Sequence, residues 1–319
     1  LYFRNETDGI AVGSNGFSKA YITRTTNAGV NWLAGELDFS FSFQGLSGIG
    51  DNLFLLGTGS HLVKSSNFGE DWEFVPYNSP SPFYSIKFNN GKGYALTLYS
   101  NLYISEDGSG DEWTFVSHAG AEQSYAMEVL DENNIVILKE NRKIVKSTDG
   151  GLTWETKLAA LPYNARNRVG GLSFPDPNTG YAWVSINDYG NYYVFKSTDA
   201  GDTWEQVLVT GGPGSLSGNA GFFDANTGVL AGPGRWLLRT SDGGATWEQP
   251  ELVGFPDHTS NRSFQDLFVV DENKAWAVGN KMIALSIDKG ATWTFVEHGI
   301  ADIDSAFRTV AFYNDTLGY

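Results

Sequence analysis

Apolar positions along this chain fall in short runs of strand length, each bounded by polar turn residues. Lys143-Ile144-Val145-Lys146 and Trp236-Leu237-Leu238-Arg239 lead into a polar turn, and Glu205-Gln206-Val207-Leu208 leads out of one. One unit can be read whole. Residues 169–174, 181–185, 193–196 and the run from Trp204 make four strands, with a turn at Asp176-Pro177-Asn178-Thr179-Gly180 after the first. Residues 220–224 with 229–231, and 267–270 with 275–278, repeat the first half of that unit. No stretch has the i, i+3, i+4 spacing of an amphipathic helix, so the pattern predicts an all-β chain.

The turn between the third and fourth strands is an octapeptide that recurs. It reads STDGGLTW at 147–154, STDAGDTW at 197–204, TSDGGATW at 240–247 and SIDKGATW at 286–293. Looser copies are TTNAGVNW at 25–32, SSNFGEDW at 65–72 and SEDGSGDEW, one residue longer, at 105–113. Its residue types are those of a tight turn with its own plug. Asp or Asn bonds backbone N–H groups a few residues on, glycine supplies a positive φ, and tryptophan buries a large ring. The expected structural pairs are Asn27 with Trp32, Asn67 with Trp72, Asp107 with Trp113, Asp149 with Trp154, Asp199 with Trp204, Asp242 with Trp247, and Asp288 with Trp293.

Successive tryptophans of the copies stand 40, 41, 41, 50, 43 and 46 residues apart. Four strands in each period of the low forties predict a β-propeller rather than a helical solenoid. Seven copies predict seven four-stranded antiparallel blades, read as one domain over residues 1–319. Residues 312–319 (FYNDTLGY) match residues 3–10 (FRNETDGI). We therefore expect either a strand near 308–313 that completes the N-terminal blade, or continuation into a longer protein.

These octapeptides resemble the Asp-box, or bacterial neuraminidase, repeats of β-propellers. The larger unit, with Asn178-Thr179-Gly180 or Asn226-Thr227-Gly228 before the second strand, resembles the photosystem II assembly and stability factor family. In the last unit Asp271-Glu272-Asn273 stands in place of that turn. The resemblance implies a seven-bladed propeller acting as an interaction module; photosynthetic members look like chaperones that use an arginine patch. Similar repeats in large secreted bacterial proteins imply an extracellular or cell-surface setting. Asp304-Ser305-Ala306 and Asp315-Thr316-Leu317 match an O-glycosylation pattern of such proteins, and Asn5, Asn261 and Asn314 begin N-glycan sequons.

Composition narrows the partners. The formal net charge is −16, which argues against nucleic acid phosphates and anionic membranes. There is no cysteine, so no disulfide, zinc–cysteine site or thiol nucleophile. No apolar run reaches the roughly 18 residues of a membrane span. No metal-ligand spacing or phosphate loop stands out, so no metal and no cofactor is expected.

In a four-stranded blade the octapeptides share one end with the first-to-second-strand turns. The acidic side chains there are expected to serve their own turns rather than calcium. The other end gathers His61, His118, His258 and His298, arginines including Arg142 and Arg308, and aromatics including Tyr77, Phe83, Tyr84, Tyr99, Tyr163 and Phe255. Arg suits bidentate carboxylate recognition, and aromatics suit stacking on sugars or proteins. The residues expected to bind are Arg166, Arg168, Tyr189, Tyr192, Arg235, Trp236, His258 and Arg262, and the expected ligand is a protein or a glycan.

Catalysis is not expected. The Arg-Ile-Pro or Arg-Leu-Pro segment of sialidases does not occur. Xyloglucan endoglucanases pair two such propellers around opposed carboxylates, and no spacing singles out a pair among Asp188, Asp257, Asp302 and Asp304. A non-catalytic binding propeller is the leading expectation. A carbohydrate-active propeller is the alternative, and an assembly factor for a membrane complex ranks lower.

Overall fold

The structure is a computed structural model. It describes residues 2–5, 7–14, 20–27, 31–37, 39, 43–57, 61–77, 79, 81–159, 167–186, 191–211, 219–232, 236–255, 264–280 and 282–296. At 13, 14, 20, 36, 43, 44, 141, 167–169, 185, 186, 191 and 209–211 only the backbone is described.

Seven sheets follow one another along the chain, antiparallel meanders of consecutive strands save for one parallel addition to the last, and they are the blades of a β-propeller. The third sheet is typical: Phe83–Asn89, Lys92–Thr97, Asn101–Ser105 and Thr114–His118 pair in order. The fifth runs Asn167–Ser173, Gly180–Ile186, Asn191–Ser197 and Glu205–Gly211, one or two residues longer at most ends than the sequence pattern indicates. The described residues contain one short helical turn, the 3-10 segment Glu140–Arg142. Two compact units divide the fold: residues 1–139 with 145–156, and residues 140–144 with 157–319.

Second strands are buried on both faces. In Asn52–Gly57 every residue after the first is buried, as is all of Ile135–Lys139. Such strands need continuous apolar sequence because both faces meet a neighbouring sheet. Leu53 packs with Ile10, Ile22 and Phe68 of one layer, while adjacent Phe54 packs with Phe83, Tyr103 and Trp113 of the next. The core is therefore a series of layers between successive sheets. A turn tryptophan enters each such layer: Trp72, Trp113 and Trp154 in the first unit, Trp247 and Trp293 in the second.

The turn positions follow one geometry. The fourth turn residue has positive φ whether it is Phe68 (56°), Ala200 (58°) or Lys289 (57°), and its N–H reaches the first-to-second-strand turn of its own sheet. Phe68 donates to the Asp51 carbonyl at 3.0 Å, Ala200 to Asn178 at 2.8 Å, and Lys289 to Asn273 at 2.8 Å. The position three residues before the tryptophan is glycine in all seven copies. Positive φ alone does not demand that, as the fourth position shows. A Cβ on Gly110 (φ 71°) would lie 2.2 Å from the buried ring of Phe54 in the preceding sheet, and one on Gly290 would lie 2.4 Å from Val229. Left-handed backbone and close approach together exclude every other residue.

The sixth and seventh blades depart from four antiparallel strands. Ala220–Phe222, Gly228–Ala231 and Leu237–Thr240 form a three-stranded sheet, and the place of the fourth strand is held by one bridge between Arg239 and Glu248. Pro250 follows; it has no N–H for a ladder, so pairing stops. Glu251–Val253 instead pairs in parallel with Thr292–Phe295 and makes the last sheet five-stranded. The first sheet contains its own two-residue first strand, Tyr2–Phe3. The closing strand expected near 308–313 lies outside the described residues.

Candidate functional site

The two ends of each sheet are built differently. At the turn end, polar side chains are bonded to one another. Ser147 Oγ donates to Asp149 Oδ1 at 2.8 Å and accepts the Gly151 N–H at 2.7 Å. Asp149 then accepts the Thr153 N–H at 2.8 Å and its hydroxyl at 2.6 Å. Ser197, Asp199 and Thr203 repeat the set, as do Thr240, Asp242 and Thr246. In Asp242 the Thr246 hydroxyl and N–H hold the carboxyl down to about 2. In Asp199 burial opposes the shift, but the Thr203 donors outweigh it and the carboxyl also falls to about 2. These carboxylates are committed to their turns. Trp72, Trp113, Trp204, Trp247 and Trp293 donate Nε1–H to the carbonyl of the glycine three residues before them, whereas Trp154 donates to Ser117 Oγ at 2.8 Å.

This end is not closed throughout. A cleft of about 390 Å³ in the first unit is lined by Arg4, Arg24, Asn27, Asn31, Trp32 and Glu70, among others. Arg4 is held by Asp8 and Asp51 and lies 4.1 Å over the Phe68 ring. Arg24 sits 3.9 Å from Glu70, a loose pairing. Sequence reasoning assigned this end to scaffold alone, because a cleft between turns leaves no mark in a motif.

At the opposite end the first unit exposes aromatic rings. Tyr99, in the turn after Lys92–Thr97, is 49% exposed, and Tyr84 is 39% exposed. Phe74 is 55% exposed and packs edge-on to Phe39 at 5.2 Å and beside His61 at 5.9 Å. These rings sit on a firm base. Lys139, fully buried, donates to the Ala119 and Gly120 carbonyls at 2.6 and 2.8 Å and pairs with Glu122 at 3.2 Å. Ser100, at positive φ, bonds Ser124 and the Glu122 carbonyl, each at 2.7 Å. His118 shares a 2.8 Å hydrogen bond with Asn101.

In the second unit Arg142, also at positive φ, lies 5.6 Å from the Tyr193 ring and 5.5 Å from Phe195, with Nη1 donating to Gln206 at 3.4 Å. Two of the expected binding residues meet here: Tyr192 and Trp236 stack at 4.9 Å and 18°. Tyr192 is nevertheless only 2% exposed and belongs to the interior, because strand alternation turns it toward the next sheet. Its role as a ligand-facing ring is corrected on that ground; Trp236 is half-buried. Phe83 is likewise interior, stacked on Tyr77 at 4.2 Å. Arg168 lies on the first strand of the fifth sheet, with its backbone alone described. Arg166, Tyr189, Arg235, His258 and Arg262 lie outside the described residues. Among the described residues no group of three or more His, Asp or Glu could hold a metal ion, and no helix is long and apolar enough to cross a membrane.

No family model matches the chain, and no curated protein matches it. Solved structures do. The structure described as YCF48 bound to D1 peptide aligns with TM-score 0.62 at 19% identity, covering 90% of this chain and 89% of that one. The C-terminal WD40 domain of Sif2 aligns with TM-score 0.65 at 11% identity, over 97% and 87%. A GH74 xyloglucanase from Xanthomonas campestris aligns with TM-score 0.53 at 13% identity, over 96% of this chain and 60% of that one. At these identities the likeness is one of fold.

Proposed function

We propose that this chain is a non-catalytic interaction propeller of the cell surface or exterior, which takes a polypeptide partner at the sheet ends opposite the octapeptide turns. The observation that carries the reading is the contrast between the two ends. Turn carboxylates and hydroxyls satisfy one another, and the large exposed apolar groups within the described turns are aliphatic, Leu152 and Ile287. The opposite end of the first unit exposes Tyr84 and Tyr99, the latter beside a base fixed by buried Lys139, and Phe74 of an edge strand leans onto Phe39 and His61. Rigid aromatics on a fixed base are what protein recognition uses, since they bury much area at little entropic cost. The fold likeness to a propeller described with a bound peptide supports the same reading.

The test is to pan a display library of random peptides, about twelve residues long, against the whole chain. The best binder is then measured against Tyr99→Ser and Phe74→Ser, with Leu152→Ser and Ile287→Ser as turn-end controls. Binding weakened by the first pair and kept by the second is expected. Binding lost only in the controls overturns the reading.

A second reading rests on the cleft at the first two turns. Trp32 offers a ring, Asn27 and Asn31 offer amides, and about 390 Å³ accommodates a small sugar. The fold likeness to a xyloglucanase supports it. Titration with neutral mono- and disaccharides, followed by indole fluorescence in Asn31→Ala and wild type, separates this reading from the first.

A further inference from the structure

The first strands share an irregularity that the octapeptides do not explain. In five sheets the register of the first strand against the second slips by one residue near its start, so one extra residue is inserted into the first strand. In the second sheet Phe43 pairs with Gly57 and Gly45 with Leu56, leaving out Gln44. In the third Phe83 pairs with Thr97 and Ser85 with Leu96, leaving out Tyr84. In the fourth Ser124 pairs with Lys139 and Ala126 with Leu138, leaving out Tyr125. Arg168 in the fifth and Gln265 in the seventh are left out in the same way. All five bulges stand at the end opposite the turns.

A bulge re-aims the side chain it inserts, and bulges kept at one place in a fold are designed features. In the three sheets where its side chain is described, the residue just before the bulge is an anchor. Phe83 is 1% exposed, and Phe264 and Ser124 are fully buried. The inserted residues are not: Tyr84 is 39% exposed, and Tyr125 and Gln265 are half-buried. The anchors keep the strand in place while the inserted residue varies, as Gln, Tyr, Tyr, Arg and Gln. If the bulges only bent the strands, any residue would do. Instead, each inserted residue is long and carries a hydrogen-bond donor, and none is aliphatic.

In the first unit three such positions, Gln44, Tyr84 and Tyr125, fall on the first strands of consecutive sheets. Those strands are tied together: Ser47 Oγ donates to the Ile86 carbonyl at 3.1 Å, Asn89 Nδ2 to the Val129 carbonyl at 2.9 Å, and Lys87 pairs with Glu128 at 3.0 Å. We propose that the bulge residues are the positions that read the partner, and that the segment they read is an extended, neutral-to-basic peptide. Phenol and amide groups in a row can bond the N–H and C=O groups of an extended backbone. Tyrosine faces attract Lys and Arg, and a chain of net charge −16 repels an acidic segment and steers a basic one.

This inference rests on the proposed polypeptide binding and deepens it, so the experiment separates the two. A random peptide display library is panned on the whole chain, and the winning sequence is synthesised. Its dissociation constant is measured by fluorescence anisotropy for wild type, Tyr84→Ala, Tyr125→Ala, Gln265→Ala and Tyr84→Phe, with circular dichroism confirming that each variant is folded. Selected peptides are expected to carry net positive charge. Tyr84→Ala and Tyr125→Ala should each weaken binding by about tenfold, Gln265→Ala by less, and Tyr84→Phe should keep most of the affinity. A peptide that binds, loses affinity in Tyr99→Ser or Phe74→Ser, and ignores the bulge variants overturns this inference while leaving the proposed function standing. Acidic winners overturn the peptide class. A library that yields no binder, with saccharides binding instead, overturns both.

Discussion

Lys64 Nζ, on the third strand of the second sheet, forms an ion pair with Asp111 in the octapeptide turn of the third. Lys64 is 3% exposed, so its ammonium emerges from the interior only where Asp111 receives it. Other repeats place a cation at the same point, just before the turn. Arg24 approaches Glu70 of the next turn at 3.9 Å, and Arg239 Nε donates to the Lys289 carbonyl at 2.9 Å. These three turns are thus tied to the sheet before them by a charge as well as by their glycine and tryptophan.

The two partners of that ion pair are not equivalent. Asp111→Ala leaves a buried ammonium without its carboxylate and should cost about 1–3 kcal/mol, discounted from a fully buried pair because Asp111 itself is largely exposed. Lys64→Met leaves only a solvated carboxylate and should cost less than about 1 kcal/mol. Urea denaturation of the two variants measures the difference; equal losses would show that packing of the lysine stem, and not its charge, is what matters.

Gly110→Ala should destabilise the chain by about 2–4 kcal/mol, because the new methyl meets the Phe54 ring on a backbone at φ 71°. Ala200→Gly, at a tolerant fourth position, should change stability by less than about 1 kcal/mol. Thermal unfolding followed by circular dichroism compares them.

Asp199 and Asp242 give the fold an acid limit. Their carboxyls are held at about 2 in the folded chain, against about 3.9 unfolded. A depressed carboxyl adds stability that is fully present above the unfolded value and is lost as pH falls through the folded one. Melting temperatures of wild type and Asp242→Asn should therefore differ at pH 7 and converge between about pH 4 and pH 2. A gap that stays constant over that range would show that the turn carboxylate owes its value to geometry and not to its charge.

Trp154 differs from its counterparts because its indole donates to Ser117 in the preceding sheet instead of its own turn. Ser117→Ala should cost about 1–2 kcal/mol, leaving an indole N–H without its acceptor. A variant as stable as wild type would show that the indole finds another acceptor.

The scaffold was legible in the sequence because turn chemistry is local. Ser, Asp, Gly, Thr and Trp within eight residues both close the turn and plug the layer, so a repeat of letters is a repeat of structure. What escaped was written in pairings between distant residues. The bulges at Tyr84 and Tyr125 are mismatches of register, visible only when Thr97 and Lys139 are known to face Phe83 and Ser124. The departure of 251–253 to the last sheet follows from Pro250 but needs Thr292–Phe295 to receive it. The sequence groups Tyr192 and Trp236 as binding residues, and the two rings are neighbours, yet alternation buries one of them.

The central claim is that binding occupies the sheet ends opposite the octapeptide turns. Hydrogen exchange by mass spectrometry, with and without a selected peptide, tests it most directly. Protection is predicted at 81–85, 97–101 and 119–126, with no change at 65–72, 105–113 and 147–154. Protection confined to those turns would contradict the account.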